Sequence, residues 1–257
     1  MDINLYNETL VRRYKSKSQI ARVLTEGWFL HEMYCPNCLS FPVNKEKDNS
    51  KVVDFSCVKC KRMFQLKGQS KKLSSKVVDG AYAPMIQMIE RDTCPDFFFM
   101  EYQSDEWIVK NLLIVPSFFI TSSIIEKRTP LSDTARRTGW TGCNILISKL
   151  PKEGQISVIK NETEIEKEEV KRAYHKLIFL ESEKPAQRGW LADVLRCIQN
   201  LDKESFELND IYSFENELKE AHPDNWHIRD KIRQQLQVLR DQGILLFEGK
   251  GKYRLMR

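Results

Sequence analysis

The stretch that decides the fold is Y-C-P-N-C, residues 34–38, with V-V-D-F-S-C-V-K-C-K-R-M-F-Q-L-K, residues 52–67. It holds two Cys-x-x-Cys turns, Cys35/Cys38 and Cys57/Cys60, separated by eighteen residues. Each such turn presents two thiolates to one ion, and two turns complete a tetrahedral Cys₄ site for Zn²⁺. With four protein ligands the ion keeps no open position, so its expected role is structural. A redox pair is the poorer reading, because such motifs come singly at the start of a helix.

The same stretch contains two strand-like runs, Val52 to Ser56 and Arg62 to Leu66, arranged as hairpin arms around the second turn. Asp54 lies on the arm that enters the turn, and Gln65 and Lys67 on the arm that leaves it. Residues two apart in a strand share a face, so Gln65 and Lys67 project together while Leu66 turns to the core. If the arms pair, Asp54 comes beside them. The carboxylate of Asp54, the amide oxygen of Gln65 and the carbonyl of Leu66 would hold Mg²⁺, and Lys67 would orient or deprotonate water and offset charge on a phosphoryl group. An acid followed by Q-x-K is also a common pattern, in which Lys67 is simply a solvated strand residue.

Outward from this centre, Ser16 to Met33 has helical spacing at Ile20, Val23, Leu24 and Trp28, with Ser16 and Gln19 placed as a capping box. After the hairpin come a polar basic stretch with Lys71, Lys72 and Lys76, a helix from about Ala81 to Arg91, and two apolar strands, Phe97–Tyr102 and Trp107–Val115. Strands apolar on both faces belong in the middle of a covered sheet. A long connection, Thr121 to Gly142, carries Arg136, Arg137 and Trp140; short strands near Asn144–Ser148 and Ile156–Ile159 and a helix over Glu166–Leu180 follow. Trp140 is either a core aromatic beside two solvated arginines or a flat contact for bases beside two phosphate clamps.

Residues 181–189, E-S-E-K-P-A-Q-R-G, have the composition of a linker. Beyond them, helical segments at Trp190–Leu201, Leu208–Ala221 and Ile228–Gln242 and a terminal hairpin with a Gly-Lys-Gly turn have the order of a winged helix. The expected division is therefore 1–181, an α/β (α+β) domain with an embedded zinc site, and 182–257, a winged helix. Charge divides the second unit: Asp202–Asp224 has eight acids and two lysines, Trp226–Arg257 eight bases and three acids. The third helix and wing should face phosphates and the earlier helices face away. Arg229 and Arg233 lie on the ridge beside the apolar stripe Ile232, Leu236 and Leu239, Trp226 stands at the helix start, and Lys250, Lys252 and Arg254 lie on the wing. A solvated charged helix would show some of the same pattern.

With 257 residues, 41% hydrophobic and 30% charged, the chain has the composition of a globular protein. The N-terminus lacks a basic flank followed by an apolar run, and no apolar stretch approaches the roughly 20 residues of a membrane span. A cytoplasmic monomer with reduced thiols is expected.

Several longer words carry a resemblance. C-P-N-C with D-F-x-C-x-x-C-x-x-x-F-x-L-K, L-T-E at Leu24–Glu26, A-R-R-x-G-W-x-G-C-N at Ala135–Asn144 and H-I-x-x-K-I-R-Q-Q-L-Q-x-L-R-D at His227–Asp241 resemble the DpnI / Dam-replacing family of restriction endonucleases, within the PD-(D/E)XK nuclease superfamily. The resemblance implies a type II, methyl-directed, Mg²⁺-dependent endonuclease that cuts double-stranded DNA at adenine-methylated GATC, with a winged helix that also reads the site. It implies that Asp54 is the metal-binding acid, Lys67 the catalytic lysine, and Trp140 and Trp226 contacts to base or methyl. Gln65 departs from the usual acid at its position, and Glu26 is then a nearby acid that could share the load. The rival expectation is a zinc-containing DNA-binding regulator that lost cleavage through that change.

Overall fold

A computed structural model describes residues 1–46 and 53–256. After a single helical turn at Glu8–Val11 (α1), Lys17–Glu32 (α2) buries Leu24, Thr25, Trp28 and Phe29, one stripe at helical spacing. The expected capping box is not made: Ser16 occupies the N-cap, but its hydroxyl meets the Ser18 hydroxyl at 2.9 Å, a nearer partner than the backbone.

The strands Val43–Lys45 (β1), Phe55–Cys57 (β2), Met63–Gln69 (β3) and Val77–Ala81 (β4) lead into a helix, Tyr82–Glu90 (α3), with Pro84 in its first turn. Val52, expected to open a strand, lies outside the described residues. Next come Asp96–Gln103 (β5), Ile108–Val115 (β6), Ile125–Lys127 (β7), Gly142–Ile145 (β8), Ile156–Lys160 (β9), Thr163–Glu164 (β10) and Lys167–His175 (α4). The helix expected to run to Leu180 stops at His175, and a separate 3₁₀ turn covers Ile178–Ser182.

Seven strands form one mixed sheet in the order β1-β2-β3-β5-β6-β9-β10. Among the described residues of this sheet only the β3/β5 pairing is parallel; the others are antiparallel. Asp96 to Met100 are all buried, as a central strand covered on both faces requires. Phe29 of α2 clamps one face, its ring 4.5 Å from Phe55 and 4.8 Å from Phe98, with Phe64 5.6 Å beyond. At Gly68 an added Cβ would come within 3.2 Å of the Thr25 methyl, so a glycine lets α2 approach the exit of β3. A smaller sheet, β4-β8-β7, carries the loop 128–141 between β7 and β8.

Pro185–Asn200 (α5), Ser205–Glu207 (β11), Leu208–Tyr212 (α6), Glu215–Ala221 (α7), Ile228–Asp241 (α8), Leu245–Gly249 (β12) and Lys252–Leu255 (β13) complete the chain. Three expectations change here. The stretch read as a linker supplies the first turns of α5, with Pro185 at the helix start, where its missing N–H costs nothing. The helix expected over Leu208–Ala221 is two helices broken at Ser213 and Phe214. The wing has a third strand: β11 pairs with β13, giving the order β11-β13-β12.

Every residue of α5 from Arg188 to Ile198 is buried, which marks a helix enclosed on all sides. It packs on the 3₁₀ turn at Ser117–Phe119, Arg188 pairs with Asp92, and Gln199 Oε1 accepts the Lys152 N–H at 2.8 Å. Asp193, buried in the same helix, accepts from His222 Nε2 at 2.9 Å, and the His222 ring stacks on Trp190 at 3.9 Å. Among the described residues no helix is long and apolar enough to cross a membrane.

Candidate functional site

The two Cys turns are built alike. Cys35 N–H donates to Ser40 O at 2.9 Å and Leu39 N–H to Cys35 O at 2.8 Å; Cys57 N–H donates to Arg62 O at 2.8 Å and Lys61 N–H to Cys57 O at 3.1 Å. The residue after each second cysteine is left-handed, Leu39 at φ 57° and Lys61 at φ 62°. The four sulfurs converge: Cys35 to Cys60 is 3.5 Å, Cys38 to Cys57 3.6 Å, and all ligand atoms lie within 4.8 Å of one another. Tetrahedral zinc at about 2.3 Å from each thiolate needs sulfurs about 3.8 Å apart, so the cluster fits that ion. Burial raises the Cys57 thiol, but the N–H groups of Cys60 and Lys59, each 3.4 Å from its sulfur, outweigh this and bring it to about 7. Burial pushes the Cys35 thiol upward, and metal binding would release its proton.

The hairpin joins this cluster to the second set of residues. Asp54 sits at a bend directly before β2, where its N–H donates to Phe64 O at 2.9 Å. Its carboxylate reaches across to β3 and accepts the Leu66 N–H at 2.9 Å. Asp54, Gln65 and Lys67 are thus brought together by the pairing of the two arms. Leu66 is half-buried and lies on the α2 face with Phe64 and Gly68, while Gln65 and Lys67 alternate to the other. The Gln65 Oε1 is sealed from solvent and meets no donor. An orphaned amide oxygen on the arm paired with a half-buried carboxylate is what a hard, oxygen-seeking cation would use, so the donor set suits Mg²⁺.

Burial raises the Asp54 carboxyl above the ordinary aspartate range, against the Leu66 N–H and the Lys67 charge, which lower it; Glu26 raises it further and Arg22 lowers it. Glu26 projects from α2 into this field, bridging Arg22 at 2.6 Å and Lys45 at 3.0 Å. A cleft of about 560 Å³ opens above, with Arg22 and Glu26 on the α2 bank, Leu66 and Lys67 on its floor and Lys76 on the β4 bank. Lys67 is engaged by a residue the sequence did not single out: its ammonium pairs with the carboxylate of Asp79 on β4. Only the V-V-D-G word marked Asp79, and nothing in it pointed to a lysine twelve residues away.

The loop 128–141 closes on itself through Leu131 N–H to Trp140 O at 2.9 Å and Gly139 N–H to Leu131 O at 3.1 Å. Trp140 is half-buried, lying flat over Gly142, where a Cβ would come within 2.9 Å of the ring. The exposed Arg137 guanidinium rests 4.8 Å from the ring centre, and Arg136 is exposed beside it. Trp140 therefore rests between Gly142 and the Arg137 cation.

On α8, Ile228, Ile232, Gln235, Leu236 and Leu239 are buried, and Arg229 and Arg233 are exposed on the adjoining ridge. Trp226, just before the helix, is 83% exposed. The expectation that the acidic helices face away from this ridge is overturned. Glu215 of α7 accepts from Arg229 Nε at 2.8 Å, and Glu207 lies 3.4 Å from Lys252, because α7 and β11 pack directly against α8 and the wing. Arg229 also stacks on Tyr212 at 4.9 Å, Arg233 pairs with Asp230 and reaches the Tyr212 hydroxyl at 3.4 Å, and Arg254 pairs with Glu248 at 2.9 Å. Lys250 is exposed at the wing tip, with φ 51° between Gly249 at 92° and Gly251 at 77°. These acids pair with cations of the ridge and the wing.

Two family models match the chain. Residues 1–183 match the model described as DpnI, Dam-replacing family, and residues 186–255 the model described as Dam-replacing HTH domain.

Proposed function

The chain belongs to the Dam-replacing family, and from that premise we propose that it is a methyl-directed restriction endonuclease that hydrolyses double-stranded DNA at adenine-methylated GATC. What supports the nuclease reading is that Asp54, the orphaned Gln65 oxygen and Lys67 lie on the two arms of one hairpin whose turn carries a cysteine cluster fit to hold zinc. We assign the mixed-sheet unit, residues 1–181, to the PD-(D/E)XK superfamily and residues 182–257 to a winged-helix reader, acting as a cytoplasmic monomer.

Asp54, Gln65 and the Leu66 carbonyl would hold Mg²⁺, with Glu26 close enough to add charge. When bound, Mg²⁺ would supply Lewis-acid stabilisation of the charge that builds on the phosphoryl oxygens. Lys67 lines the floor of the cleft, where its ammonium offsets the same charge and orients the attacking water. The water oxygen bonds to phosphorus and gives up one proton to solvent as the bond to the leaving sugar oxygen breaks, and that oxygen takes up a proton from solvent. Arg136, Arg137, Lys250, Lys252 and Arg254 would bind backbone phosphates. Trp140 and Trp226 would contact base or methyl, with Arg229 and Arg233 beside them. The cysteine cluster takes no part in the chemistry; Zn²⁺ would hold the turn between the two arms.

A second reading, a zinc-containing winged-helix regulator without cleavage, draws on the uncharged Gln65 and the engagement of Lys67 by Asp79. Plasmid from adenine-methylating and non-methylating hosts, incubated with the protein and Mg²⁺ or with a chelator, separates the two. Cutting of the methylated plasmid alone, in Mg²⁺ alone, is expected. Binding without cutting would establish the regulator, and equal cutting of both plasmids would remove the methyl-directed assignment.

A further inference from the structure

Lys67 sits on β3 of the large sheet, and the group that holds it comes from the small one. Asp79 lies on β4, opposite Cys143 of β8, the strand that carries the end of the Arg136/Arg137/Trp140 loop. Its side chain is 5% exposed, its carboxylate meets the Lys67 ammonium, and the Lys67 side chain is 23% exposed toward the cleft. The Cys143 thiol, raised to about 11 first by burial and then by Asp79, registers the same negative charge.

A buried carboxylate left without its cation is costly, so the pair ties the two side chains together. A lysine stem also carries rotamer entropy, which a fixed partner removes before substrate arrives. Asp79 meets neither Asp54 nor the orphaned Gln65 oxygen in a hydrogen bond, so its effect on the catalytic hairpin runs through Lys67. Ion pairing across two sheets also fixes where the loop-bearing strands stand relative to the cleft.

We propose that Asp79 is a positioning residue for cleavage: its carboxylate holds the Lys67 side chain in place over the cleft, where Lys67 can orient water and offset charge on the phosphoryl group. This rests on the nuclease reading above. Its test uses the full chain and an adenine-methylated GATC duplex. Single-turnover cleavage is measured in Mg²⁺, duplex affinity in Ca²⁺, and the Mg²⁺ concentration for half-maximal rate separately, for Asp79→Asn, Asp79→Ser and Lys67→Ala.

The expected result is that both Asp79 variants bind as the parent does and need the same Mg²⁺. They cut about 10- to 100-fold more slowly, the loss typical of an outer-shell partner that orients a functional group. Lys67→Ala should be slower still. A parental rate in both Asp79 variants, with Lys67→Ala inactive, would overturn the positioning role and leave the nuclease reading standing. Loss of binding together with cleavage would make the pair a strut of the fold, and a many-fold rise in the Mg²⁺ requirement would make Asp79 a metal ligand; either result also overturns it. Full cleavage by Lys67→Ala would instead remove the nuclease assignment of this hairpin.

Discussion

Gln65 provides the sharpest test of the metal site, because its amide oxygen is costly to the fold and useful only to a ligand. The perturbation is Gln65→Met, which keeps the length of the side chain and removes the polar group. A buried acceptor without a donor costs about 1–3 kcal/mol, and the oxygen is sealed from solvent with no partner. In chelator the variant should therefore be more stable than the parent, its melting temperature higher by about 2–4 °C for each kcal/mol recovered. Mg²⁺ should reverse the order. A ligand at 100 times its dissociation constant stabilises the native state by about 2.7 kcal/mol, and the parent should gain this while the variant, lacking one donor, gains less. The assay is thermal unfolding of both proteins across a Mg²⁺ titration, with plasmid cleavage alongside. Equal or lower stability of Gln65→Met in chelator, together with an unchanged response to Mg²⁺ and undiminished cutting, would refute both the orphaned oxygen and its role as a ligand. Gln65→Glu has the opposite signature: a third carboxylate added to Asp54 and Glu26 destabilises the metal-free protein and strengthens its response to Mg²⁺.

The remaining expectations concern Asp54, the cysteines and the winged helix. Burial raises the Asp54 carboxyl, so its protonated form is favoured in the fold. Its contribution to stability is complete below the unfolded pKa and declines as pH rises through the folded value. Cleavage, which needs the carboxylate, should accordingly fall off above the ordinary aspartate range of about 4 as pH is lowered, and Asp54→Asn should lose cleavage and flatten that part of the stability profile in pH-resolved unfolding. Cys57→Ser should lose zinc on metal analysis and cleavage by at least 100-fold, a zinc-loss effect of the order seen when a metal-dependent fold loses a ligand, while duplex binding persists; a zinc-free variant with parental cutting would break the link between knuckle and hairpin. Trp226→Ala should leave stability within about 0.5 kcal/mol, as for other surface changes, since the ring is 83% exposed, but should weaken discrimination between methylated and unmethylated duplexes about 10-fold, a loss within the 1–3 kcal/mol of one good base contact. Unchanged discrimination in competition binding would exclude it from the methyl contact.

Local pattern carried much of this molecule. The stripe Leu24, Trp28 on α2, the apolar run of β5 and the Gly-Lys-Gly wing turn are short-range signals, and each appears where its periodicity or turn chemistry places it. The four cysteines were legible because one ion imposes the spacing. What escaped depends on tertiary neighbours. Asp79 is an ordinary acid in a short strand until β4 folds back beside β3. Residues 185–189 are polar and punctuated by proline and glycine, yet Arg188 is buried because Asp92 meets it. The strand Ser205–Glu207 has no alternation of its own worth three residues; β13 creates it. Glu215 was read by its charge alone, and packing of α7 against α8 turned it toward the cations it was expected to avoid.

The lone parallel pairing in the large sheet has a consequence for the order in which the chain assembles. β2 and β3 are joined by the tight Cys57–Cys60 turn and pair as sequence neighbours, whereas β3 reaches β5 only after the chain has passed through β4 and α3. Closing that longer excursion loses entropy before any contact rewards it, and such non-local pairings set folding rates. Zinc capture by two short turns would supply a preformed edge for β5 to join. The cluster would then act as a template for one non-local step in building the sheet, and refolding with and without zinc would reveal it as a difference in rate.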